Sequence, residues 1–140
     1  MNHYHDCPAV LREFLSYHEN IRGQSAKTIS EYYLDLRMFL RFMKLVKLEL
    51  PYQTPLDSIT IQDVDINFLA SITVTDIYDF LSYLANDRSS ERHESPGIAA
   101  SARARKLSAI KSFFKYLTVR TKLLEENPVQ DLEFPKLRKS

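Results

Sequence analysis

The sequence predicts an all-α fold of two packed helical hairpins, four main helices in all, and three observations carry that prediction. Several long segments repeat their apolar residues at a 3.6-residue period, regular alternating runs are scarce, and only two glycines interrupt 140 residues. That length suits one domain whose core stands without disulfide or metal staples. A hydrophobic fraction of 44% beside 26% charged residues is ordinary for a globular chain and excludes extended disorder.

A first helix is expected from about Pro8 to Asn20, since proline suits a first turn and Val10, Leu11, Phe14 and Leu15 make one apolar face. Gly23 ends it. Ser25 is the expected N-cap of a second helix reaching about Val46, with Ile29, Tyr32, Tyr33, Leu36, Phe39, Leu40 and Met43 buried. Its polar flank carries Lys27, Ser30, Arg37 and Arg41, and Leu34, Met38 and Leu45 form a weaker apolar stripe on the outer face. From Glu49 to Ser71 the period is broken by Pro51 and Pro55, which predicts a long connection with one short helix near Asp65 to Ala70. A short strand near Ser58 to Gln62 is an open alternative there.

Thr73 with Asp76 three residues on resembles a capping box, with Ile72 and Ile77 as its hydrophobic staple. A third helix follows to about Leu84 or Ala85, burying Ile77, Phe80, Leu81 and Leu84. Asn86 to Gly97 is polar and turn-rich, hence a surface loop. The fourth helix starts near Ile98 to Ser101 and stops around Thr121. Leu107, Ile110, Phe114 and Leu117 enter the core, which leaves Ser101, Arg105, Ser108, Lys111, Ser112 and Lys115 as a cationic, hydroxyl-rich outer strip. Asn127-Pro128 marks a turn, and Val129 to Leu132 one last helical turn. Residues 1–132 are the expected domain and 133–140 the start of a basic linker.

Two patterns recur. Phe14-Leu15-Ser16-Tyr17 with Asn20 returns as Phe80-Leu81-Ser82-Tyr83 with Asn86, and the run Leu36 to Met43 returns in type as Ile110 to Leu117. Duplicated hairpins and a coincidence of amphipathic helices both account for this. Charge is uneven as well. Residues 1–100 hold 9 basic against 14 acidic residues, and residues 101–140 hold 10 against 4, so the near-neutral total hides a basic C-terminal part. A polyanion is attracted to one part of such a molecule and repelled by another.

Chemistry beyond binding finds no support. His3, His5, His18 and His93 pair in sequence with no nucleophile or metal-ligand set, and no glycine-rich phosphate loop exists. No catalytic residue, metal site or cofactor is expected. Tyr32, Tyr33, Tyr83 and Tyr116 read as core, Asp63/Asp65 and Asp76/Asp79 as caps and solvated faces, and Cys7 as a passive thiol. No apolar run is long enough for a membrane span and the N-terminus lacks the pattern of a signal peptide, which points to the cytoplasm.

The run from Ser25 through Thr28, Tyr32, Asp35, Leu36 and Phe39 resembles the first signature of the SAM-like core-binding domain of tyrosine recombinases, the phage integrases. Arg105-Lys106-Leu107-Ser108-Ala109-Ile110-Lys111-Ser112-Phe113-Phe114-Lys115-Tyr116-Leu117 resembles the second, with Ile110 for leucine and Lys111 for arginine as conservative departures. Asn127-Pro128 and Pro135-Lys136 are similar to the exit from that domain.

The resemblance implies double-stranded DNA as partner, other recombinase protomers beside it, no membrane and a monomeric isolated domain. It places Lys27, Thr28, Ser30, Arg37 and Arg41 on one DNA-facing helix and Ser101, Arg105, Ser108, Lys111, Ser112 and Lys115 on the other. Arg105, whose fork matches guanine, is the candidate base-edge contact. The family's cleaving residues belong to a following domain, and no His-x-x-Arg occurs here, so the chain is expected to bind DNA without cutting it. The rival readings are a helical protein-interaction module docking through the Leu34, Met38, Leu45 stripe, and a stand-alone DNA-binding accessory protein.

Overall fold

The computed structural model describes residues 4, 6–88 and 96–133, and among these it is helical with no strand. Helix α1 spans Ala9–Ser16 and runs on into a π-helical turn, Tyr17–Ile21; Gly23, at φ +70, then turns the chain in the left-handed region that glycine tolerates. Helix α2, Ala26–Lys47, starts where expected because the Ser25 side chain accepts from the Thr28 amide. Helix α3 is the short Ile66–Ala70, capped by Asp65.

Helix α4, Val74–Tyr83, opens on the anticipated box. The Thr73 amide donates to Asp76 at 2.9 Å, and the Asp76 amide donates to Thr73 Oγ1 at 3.3 Å. It also ends in a π-helical turn, Leu84–Arg88. Helix α5, Pro96–Lys115, begins earlier than expected, because proline as first residue forfeits an N–H that has no helical partner there; its π-helical turn is Tyr116–Arg120.

The recurring sequence patterns recur as structure. Asn20 donates to Ser16 Oγ at 3.1 Å and Asn86 to Ser82 Oγ at 3.2 Å, each where its helix widens. Leu36, Phe39, Leu40 and Met43 match Ile110, Phe113, Phe114 and Leu117, and all eight are 0% exposed. One continuous apolar cluster joins both hairpins.

Three expectations are corrected. The connection holds no strand near Ser58 to Gln62; a 3₁₀ turn, Leu56–Ser58, precedes extended chain with Ile59, Ile61 and Val64 buried. That chain is pinned onto α2 by Arg41 Nε to the Ile59 carbonyl at 3.1 Å and by Lys44 Nζ to the Thr60 carbonyl at 2.8 Å and to Asp63 at 2.7 Å. Val129 to Leu132 is a turn, not a helical one, because Asn127 Oδ1 accepts from the Val129 amide at 3.0 Å and closes the backbone locally. The Leu34, Met38, Leu45 stripe is no docking face, since Leu45 sits in the core and only Leu34 is open. The expected loop falls largely on 89–95, and the linker on 134–140, outside the described residues.

Asp76 also takes the Lys47 ammonium at 2.9 Å, so its carboxyl has three partners. Burial alone would raise its pKa, but the bonds from Lys47 and Thr73 outweigh this and hold it below the ordinary value. A depressed folded-state pKa contributes stability above the unfolded carboxylate pKa, and that stability is lost as pH falls through the folded one. Urea unfolding of an Asp76→Asn variant is therefore expected to show a deficit at neutral pH that closes in acid. Thr73→Ala is expected to cost about 1 kcal/mol at neutral pH.

Candidate nucleic-acid interface

Helices α2 and α5 pack side by side, and their junction is an ion cluster. Asp35 on α2, 4% exposed, receives Arg105 Nε at 3.2 Å and Nη2 at 3.0 Å on its two oxygens, and Lys106 Nζ at 2.7 Å. The fork that matches guanine is thus already closed on a carboxylate, although over half of the Arg105 side chain remains open to solvent. Asp35 keeps Arg105 firmly protonated, its hydrogen bond being the main cause of the raised pKa. Thr28 and Glu31 from α2 and Ser108 from α5 line the same small hollow of ≈ 110 Å³.

A larger groove of ≈ 780 Å³ runs along the outer strip of α5, with Ser108, Lys111, Ser112 and Lys115 on one wall and Glu125, Glu126 and Gln130 on the other. Lys111 donates to the Leu132 carbonyl and clips the C-terminal turn onto the helix. A second cleft, ≈ 390 Å³, opens between the π-helical turn after α1, the entry to α2 and the end of α5. Its lining includes Arg22, Lys115 and Arg120 with Tyr17, Tyr116 and His18, and no carboxylate. The Arg120 guanidinium lies 4.7 Å from the Tyr17 ring centroid. Burial lowers the pKa of His18, which is bonded through Nδ1 to Gln24 Oε1 at 2.8 Å.

The sequence-derived candidates therefore divide. Thr28 meets Arg105 and Ser108, and Ser108, Lys111, Ser112 and Lys115 share one wall. Lys27 and Ser101 are exposed near the starts of their helices, and Ser30 is half-buried. Arg37, over the Tyr33 ring at 5.2 Å, and Arg41, held by Ile59 and by Asp6 at 3.5 Å, belong to the flank of α2 that carries the N-terminal segment and the connection. Sequence reasoning missed Arg22 and Arg120, which stand outside both motif runs. The available signal was the Tyr17 and Arg120 placement at the ends of two helices that the repeat already paired.

Nothing else among the described residues forms a chemical site. No group of three or more His, Cys, Asp or Glu residues there is placed to hold a metal ion. Cys7 is buried, which pushes its thiol up to about 11 and makes it inert as a nucleophile. No described helix is long and apolar enough to cross a membrane.

Residues 10–122 match the family model for the phage integrase N-terminal SAM-like domain. The chain is 38% identical over 130 residues to tyrosine recombinase XerC of Caldanaerobacter subterraneus subsp. tengcongensis, covering 93% of this chain and 35% of that protein. It is 30% identical over 130 residues to the XerC of Leptospira interrogans, covering 93% and 33%, and 30% identical over 138 residues to tyrosine recombinase XerD of Proteus mirabilis, covering 99% and 35%. The chain thus spans about a third of the length of these curated relatives. No solved structure matches it. With an all-α fold of paired hairpins, both motif runs on the helices that meet, and a family match over most of its length, the chain belongs to the N-terminal SAM-like domains of the tyrosine recombinase, or phage integrase, family.

Proposed function

We propose that this chain is the DNA-gripping part of a site-specific tyrosine recombinase and holds duplex DNA through α2 and α5 while a separate catalytic part of the parent protein breaks and rejoins strands during integration or recombination. Other recombinase protomers on the same DNA would be its protein partners, and the cytoplasm its compartment. Residues 1–132 would be the binding domain and the following residues the linker. The observation that carries this reading is the meeting of Thr28 on α2 with Arg105 and Ser108 on α5, which sets two hydroxyl-rich, cationic helix faces side by side.

Lys27 and Lys115 are exposed and suit phosphates, and Ser101, Ser108 and Ser112 suit hydrogen bonds to the backbone or base edges. Arg105, with its fork on Asp35, presents only its remaining N–H edge, which fits a phosphate rather than a bidentate guanine contact. Arg41, Lys111 and Arg37 have protein partners and are support rather than contact.

The test is a duplex titration over a range of salt. Lys115→Ala and Arg105→Ala are each expected to flatten the slope of log K against log salt by about one unit, and Arg105→Ala to weaken binding evenly across sequences. A wild-type chain that binds no duplex at low salt would overturn the reading. Arg105→Ala that relaxes preference at a single base pair would restore the guanine contact.

A further inference from the structure

We infer that the cleft bounded by Arg22, Lys115 and Arg120 is a phosphate-binding site, the place where a DNA backbone phosphate crosses from α5 to the turn after α1. It rests on the duplex-binding reading above and extends the contact surface to residues outside both motif runs.

Charge singles this cleft out. The larger groove sets Glu125 and Glu126 opposite its lysines, and the hollow at Arg105 contains Asp35 and Glu31, so both already hold counter-charge. The cleft has three cations and no carboxylate on its lining. Glu13 is near enough to raise the pKa of Tyr116, after the effect of burial, but stands outside that lining. Among the described residues Arg22, Lys115 and Arg120 form no ion pair, and Arg22 and Arg120 are exposed. Like charges gathered without a counter-ion repel one another, as the lowering of the His18 pKa by Arg22 illustrates after the larger effect of burial. A phosphodiester relieves that repulsion while accepting several charge-assisted hydrogen bonds.

The cleft is also built and connected. Arg120 is held by stacking on Tyr17, so one donor set is ordered before any ligand arrives. Lys115 and Ser112 line both the cleft and the groove along α5, which makes the cleft a continuation of the proposed DNA face. A backbone following that face meets the hydroxyls first and the three cations at its end. The ligand class is a phosphate of duplex DNA.

The experiment compares duplex binding by the 140-residue chain with that of Arg22→Gln, Arg120→Gln and the double variant over a range of salt. Each single substitution is expected to flatten the log–log salt slope by about one unit and the double by about two. Thermal unfolding of the double variant should match the wild type, since both side chains are exposed. In backbone NMR spectra the amides of Tyr17, Arg22 and Arg120 should shift on adding duplex. Duplex binding with wild-type slopes in all variants, or with no shifts at these amides, would overturn this inference and leave the duplex-binding reading standing. A wild-type chain that binds no duplex would overturn both.

Discussion

Phe39→Ala is expected to destabilise the fold by about 3–5 kcal/mol, at the upper end of what one truncated aromatic costs. Phe39 is 0% exposed on α2, and its ring reaches Phe80 of α4 at 5.4 Å and Phe114 of α5 at 6.3 Å, both near edge-to-face. It therefore ties three helices through one side chain. Removing the ring loses its transfer free energy, two aromatic contacts worth about 0.5–1.5 kcal/mol each, and leaves a cavity, since Phe42 and Phe113 already have their own ring partners. A domain of this size has only about 5–15 kcal/mol of net stability, so the variant should unfold at a much lower urea concentration with an unchanged m value. Val119→Ala, at a side chain 63% exposed, should shift the midpoint by less than about 0.5 kcal/mol. A Phe39→Ala midpoint as small as that would mean the hairpins are not held together at this ring.

That core was readable from sequence because helical period alone selects it: Leu36, Phe39, Leu40 and Met43 share one face whatever lies opposite. The caps were readable for a similar reason. Ser25 and Thr73 act on amides three residues away, so no distant part of the chain can overrule them. The connection was not readable. Its fold-back depends on Arg41 and Lys44 meeting the carbonyls of Ile59 and Thr60, and sequence spacing does not say which backbone groups a long cation will satisfy. The candidate interface suffered from the same limit. A cationic side chain at a helical outer position looks alike whether it meets water, a carboxylate on the next helix, as Arg105 does, or a carbonyl of the returning tail, as Lys111 does. The Arg22 and Arg120 cleft depends on two helix ends converging, which only the packing of the hairpins supplies.

Asp35→Asn is expected to cost about 2–4 kcal/mol, because removing one member of a buried charge cluster leaves the others uncompensated. Lys106 carries most of that penalty. Its side chain is 12% exposed and its ammonium lies 2.7 Å from Asp35, whereas the Arg105 side chain is 56% exposed and can turn to water. Arg105→Ala should therefore cost no more than about 1 kcal/mol, the range of a pair with one solvated partner. The asymmetry separates two accounts of the cluster. If Asp35 merely neutralised an exposed arginine, both substitutions would fall within the range of a surface pair. If it anchors α5 against α2 through the buried lysine, a double-mutant cycle of Asp35→Asn with Lys106→Gln should return a coupling of about 1–3 kcal/mol, and the cycle with Arg105→Gln a smaller one. The packing favours the second account, since Asp35 itself is 4% exposed and lies beneath Arg105. The α2–α5 angle that aligns Thr28 with Ser108 is then set by a carboxylate that faces the protein, and the proposed DNA face inherits its geometry from a charge that DNA never meets.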